Sequence, residues 1–134
     1  MNDDNKNIAL IKRLHNIWND CNLNDVDNVY SNHFIVHWPT SWGGKSEGID
    51  NIKQSIRETH DIFHGWNENI IDLIVSGDRV VTRYLSSGIH SLSGNEIEFQ
   101  EVSIYKIHNN KVIEQWCFGD EDMLESQIKS IKSK

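Results

Sequence analysis

Three turn signals, Ser76-Gly77-Asp78, Ser93-Gly94-Asn95 and Asn109-Asn110, cut the second half of this chain into long β-rich runs with nothing helical between them. Strands joined by such short turns pair with their sequence neighbours. Runs over about Asn67 to Val75, Arg79 to His90, Glu96 to Ile107 and Lys111 to Phe118 therefore predict an antiparallel meander. Strands of this length twist strongly, and a curled sheet has a concave face that needs covering.

The first half supplies the cover. Ile8, Ile11, Leu14, His15, Ile17, Trp18 and Cys21 recur at helical spacing and predict a first helix from about Asn5 to Asn22. Asn24 opens a short second helix with Val26, Val29 and Tyr30 on its apolar side. His33 to Trp38 reads as a strand closed by Pro39, the chain's one proline, and Thr40 to Gly48 reads as a loop around Trp42. Ile49, Ile52, Ile56 and Phe63 mark a third helix ending near Gly65. Helices first and strands afterwards point to an α+β fold, with a pocket between helices and sheet.

At 134 residues the chain is expected to form a single domain, 1–134. Twenty acids against 13 bases give a net charge of -7, which disfavours a nucleic-acid partner. No apolar run is long enough to cross a membrane and no leader pattern is evident, so no membrane partner and a cytoplasmic location are expected. Cys21 and Cys117 match no paired-cysteine spacing and are expected to be free thiols.

The run Lys111 to Asp120 ends on a carboxylate. Simple alternation puts Val112, Glu114, Trp116, Phe118 and Asp120 on one face, so Asp120 would stand beside aromatic rings, where desolvation suits a carboxyl group to proton transfer near neutral pH. Gly119-Asp120-Glu121-Asp122 reads equally as a helix start with Asp120 as its N-cap. Phe99, Glu101, Ser103 and Tyr105 share a face of the preceding strand; a carboxylate such as Glu101 is costly there unless paired, for example with Arg83 or Lys106, or useful. His37 at a strand end, His90 at another and Tyr105 are hydrogen-bonding candidates for a substrate. Trp18, Trp38, Trp42, Trp66 and Trp116 could form an aromatic cage or be absorbed in packing. His60 and His64, four apart on a helix, have the spacing of two metal ligands but lack a third, and a surface pair is the favoured reading.

Asn16-Ile17-Trp18-Asn19, Phe34-Ile35-Val36-His37-Trp38-Pro39, Gly77-Asp78-Arg79-Val80, Gly88-Ile89-His90 and Glu114-Gln115-Trp116 followed by Asp120 together resemble the SnoaL-like polyketide cyclases of the nuclear transport factor 2-like superfamily. The resemblance implies a conical barrel, with three N-terminal helices packed on a strongly curved, mainly antiparallel mixed sheet and a short C-terminal helix. It also implies a deep pocket used without a cofactor, a homodimer, and intramolecular aldol chemistry with Asp120 as general acid/base. Ser103 stands where these cyclases carry histidine or aspartate, and Gln115 where histidine is frequent.

These readings combine in an enzyme of polyketide-cyclase or isomerase type that acts on a hydrophobic or aromatic small molecule with no cofactor and no metal. Asp120 is the catalytic group, and His37, Trp38, His90, Glu101, Ser103, Tyr105, Gln115 and Trp116 contact the substrate. A binding module without chemistry and a dimeric adaptor are the alternatives.

Overall fold

The computed structural model describes residues 3–130. Helix α1 (Asp3–Asp20) is followed by a 3-10 turn and the four-residue α2 (Val26–Val29), then β1 (Tyr30–His37), the short β2 (Lys45–Glu47) and α3 (Ile49–Ile62). Four long strands follow: β3 (Phe63–Ser76), β4 (Arg79–His90), β5 (Glu96–His108) and β6 (Lys111–Gly119), with α4 (Glu121–Lys129) after them. The strands form one sheet in the order β2-β1-β6-β5-β4-β3. Every neighbouring pair is antiparallel except β1 and β6, which run parallel. The sheet keeps two edges, β2 and β3, so the expected cone is an open sheet under helices and not a closed barrel.

The meander forms where the turns predict it. Asn109 and Asn110 both take positive φ (51° and 59°), the conformation of a tight hairpin turn of the type that matches strand twist. Gly77 at φ 58° serves the β3–β4 turn. The strand expected from Asn67 starts four residues earlier, because α3 passes directly into β3 at Phe63 and Gly65 (φ 65°) is absorbed in a register shift between His64 and Asn67. Lys45–Glu47, read from sequence as loop, pairs with the end of β1 as the edge strand β2.

A second irregularity matters more. Lys106 pairs with Glu114 while Ile107 pairs with Val112, so Ile113 is an extra residue in β6. One inserted residue exchanges the two faces of a strand. Val112 points inward as expected, but beyond the bulge the buried residues are Gln115 and Cys117, while Phe118 is 57% exposed. The expected face of Glu114, Trp116, Phe118 and Asp120 is therefore the outer one.

The inner face is covered in two places. Leu10, Ile11, Leu14, Ile17 and Trp18 of α1 and Ile52 and Ile56 of α3 pack over Tyr30, Val36, Val80, Tyr105 and Val112. At the other end Leu124 of α4 packs with Phe63, Trp66, Ile97 and Phe99. Between these apolar clusters the sheet carries buried polar residues, Glu68, Thr82, Ser86, Glu101, Ser103 and Gln115. Polar groups are expensive in such a position unless each finds a partner, so this belt is where function is to be sought.

Candidate functional site

Three rows of inward-facing residues build the floor of the site. Tyr84 pairs with Glu101 and Glu101 with Gly119; Thr82 pairs with Ser103 and Ser103 with Cys117; Val80 pairs with Tyr105 and Tyr105 with Gln115. Above them lies a cavity of about 480 Å³. Glu68, Tyr84, Glu101, Tyr105 and Gln115 line its polar side. Its walls include Trp18, Trp38, Trp42, Phe63, Trp66 and Phe99, so four of the five tryptophans face it. Trp42 sits over Gly119, where an added Cβ would lie 2.2 Å from the indole ring, and its ring meets Phe99 edge-on at 5.7 Å. The lack of a side chain at Gly119 is what lets this indole close down beside Glu101.

Glu101 is 5% exposed. Ser86 Oγ donates to its Oε2 at 2.5 Å and Cys117 Sγ to its Oε1 at 3.3 Å. Burial, reinforced by the negative charge of Glu68, pushes its carboxyl group up to about 8, so Glu101 holds a proton at neutral pH. Hydroxyl and thiol partners can turn to accept or donate, which suits a group that changes protonation state. Burial also pushes the Cys117 thiol and the Tyr84 and Tyr105 hydroxyls up, keeping all three neutral.

Glu68 is held from three sides. Its Oε1 lies 2.7 Å from His15 Nδ1, its Oε2 accepts from Trp66 Nε1 at 2.9 Å, and its backbone exchanges hydrogen bonds with the Asn19 side chain. His15 is 2% exposed, and its Nε2 lies 3.0 Å from Tyr105 Oη and 3.2 Å from Thr82 Oγ1. With Nδ1–H directed at Glu68, Nε2 accepts from the Tyr105 hydroxyl. Neither His15 nor Glu68 stood out as a site residue in the sequence. The available signal was a histidine at a core position of an apolar helix face, which needs a buried partner.

Asp120 is exposed, and its Oδ1 accepts from the Met123 amide at 3.1 Å as the N-cap of α4. It is absent from the cavity lining. His37 lies on the outer sheet face, stacked on Trp116 (5.5 Å, 9°) with its Nε2 2.7 Å from Glu114 Oε2. Trp116 stays out of the cavity and lies under the Arg79 guanidinium, 5.3 Å away. His90 closes its own turn by hydrogen bonding to Ser93. The Glu101 carboxyl finds no cation in Arg83, which bonds Asp72 instead. Of the residues singled out from sequence, Trp38, Glu101, Tyr105 and Gln115 meet at the cavity, with Ser103 joining Gln115 to Tyr84 beneath it. His60 bonds the Trp18 carbonyl and His64 is exposed at the start of β3.

A six-stranded sheet covered by helices, with a cavity against its inner face, is the nuclear transport factor 2-like α+β fold. The SnoaL-like polyketide cyclase family model matches residues 8–128, and the chain belongs to that family. Solved structures agree. IdmH from Streptomyces antibioticus, a candidate polyketide cyclase, superposes with a TM-score of 0.84 at 18% identity, covering 92% of this chain and 99% of its own. A candidate polyketide cyclase from Bacillus cereus gives 0.82 at 22% identity over 95% and 83% of the two chains. A candidate SnoaL-like cyclase from Jannaschia gives 0.86 at 18% over 96% and 95%. At these identities the likeness establishes the fold. A search of curated protein sequences finds no match to the chain.

Proposed function

We propose that the protein is a proton-transfer enzyme of cyclase or isomerase type, acting without a cofactor on an apolar, ring-sized carbonyl compound, with Glu101 as its acid. The observation that carries this reading is a carboxyl group buried on the wall of an aromatic cavity, where desolvation favours its protonated form. Enolisation needs a donor for the developing oxyanion and an acceptor for the carbon-bound proton. Glu101 supplies the donor. Glu68, whose charge helps hold the Glu101 proton, supplies the acceptor; His15 and Trp66 fix its orientation. Glu101, kept protonated by burial, and Glu68, held in place by His15 and Trp66, form the acid/base pair of this scheme. Asp120, spent on the helix cap, takes no part in this scheme.

The test is solvent-deuterium exchange at the α-carbon of aryl β-diketones, followed by NMR. Glu101→Gln is expected to slow exchange about 100-fold or more, the usual contribution of a positioned acid, while Asp120→Asn stays within about twofold of wild type. The reverse pattern would return the catalytic role to Asp120. Binding of the diketone with no exchange in the wild type would favour a binding module.

The protein is further proposed to be a homodimer through the outer sheet face. Supporting this, the register aligns Val81, Ile104 and Trp116 in one row and Arg83, Val102 and Phe118 in the next, and an apolar row across an uncovered sheet calls for a partner. No helix among the described residues is long and apolar enough to cross a membrane.

A further inference from the structure

The charge of the cavity points to a ligand type that neither the family nor the acid/base scheme specifies. Five glutamates line it, Glu68 and the protonated Glu101 at the floor and Glu58, Glu121 and Glu125 higher up, yet among the described residues no lysine, arginine or histidine does. Glu125 is paired with Lys129. Glu58 accepts from Gln54 and Glu121 from Ser41, both uncharged donors, and neither is in an ion pair among the described residues. A carboxylate or phosphate ligand would enter against these charges with no cation on the described lining to neutralise it.

A second observation comes from the floor. Gln115 is 2% exposed and lines the cavity; its Nε2 donates to Ser103 Oγ at 3.1 Å, but its Oε1 has no hydrogen-bond partner among the described residues. A buried amide oxygen left open is costly, and a ligand donor that reaches it from the cavity would recover that cost. The surrounding Trp18, Trp38, Trp42 and Trp66 offer ring faces, the surfaces to which organic cations are drawn.

We infer that the cavity selects a hydrophobic amine in its protonated form, the ammonium N–H donating to Gln115 Oε1 among the tryptophans and the alkyl or aryl body filling the apolar walls. The inference rests on the proposed function only in using the same cavity, and it adds that the compound carries a basic nitrogen.

Three probes of matched shape separate the alternatives by titration calorimetry: N,N-dimethyl-1-naphthylmethylamine, its uncharged carbon isostere 1-isobutylnaphthalene, and the anion 1-naphthylacetate. The amine is expected to bind about tenfold or more tighter than the isostere, and the anion weakest. Gln115→Met should remove about tenfold from amine binding and leave the isostere unchanged. The surface double variant Glu58→Gln/Glu121→Gln, which does not disturb the core, should weaken the amine alone and flatten its salt dependence. Equal binding of amine and isostere, preference for the anion, or failure of all three to bind overturns the inference. Deuterium exchange on the uncharged diketones, with its dependence on Glu101, reads the acid/base scheme separately, so each can fail alone.

Discussion

Glu101 puts a pH signature on the fold as well as on the chemistry. Its carboxyl group is raised from 4.5 to about 8, so between those values the native state holds a proton that the unfolded chain has released. Stability then falls as pH rises through this window and levels off above it. Glu101→Gln, which keeps the shape and removes the charge, is expected to flatten that slope and to be the more stable protein above pH 8 by several kcal/mol at most. Denaturant unfolding of both proteins from pH 5 to 9 checks this; parallel curves would mean Glu101 is not neutral in the fold. His15 is the other informative residue. It spans Glu68, Thr82 and Tyr105, so His15→Leu leaves Glu68 and the Tyr105 hydroxyl without their partner and should cost about 3 kcal/mol or more, measured by thermal unfolding.

Among the elements, β6 and α4 decide what Asp120 and Gln115 can do. The extra residue at Ile113 turns Gln115 and Cys117 inward and sends Trp116 and Phe118 out, and Asp120 follows the strand where the first turn of α4 needs an acceptor. Asp120→Ala is expected to destabilise the protein by about 1 kcal/mol through loss of the cap, with exchange activity retained. Gly119 is the element-level control of the pocket. An alanine there would collide with the Trp42 ring, so Gly119→Ala should swing the indole away, weaken ligand binding and shift tryptophan fluorescence with little change in the rest of the sheet. Ser41 of the same loop bonds Glu121, which ties this segment to the start of α4.

At the scale of the molecule, the two faces of one sheet have separate tasks. The inner face holds a polar belt between two apolar clusters, and the outer face presents Val81, Ile104, Trp116 and Phe118 with charged neighbours. Phe118→Asp is expected to convert a dimer to a monomer in sedimentation velocity while leaving the cavity intact, because its side chain points away from it; an unchanged dimer would place the interface elsewhere.

The sequence by itself determined the order of the helices and long strands, the hairpin turns at Gly77, Gly94 and Asn109-Asn110, the helix faces, and the inward set Phe99, Glu101, Ser103 and Tyr105, because local propensity and periodicity are written in short windows; the short edge strand β2 it left as loop. It also carried both readings of Asp120, proton-transfer group and helix cap. What only the tertiary structure decided was the bulge at Ile113, the parallel pairing of β1 with β6, and the meeting of His15 with Glu68 and of Trp42 with Gly119. Each depends on partners far apart in the chain. A single inserted residue exchanges the two faces of a strand without altering its composition, so alternation alone places every side chain beyond it on the wrong side.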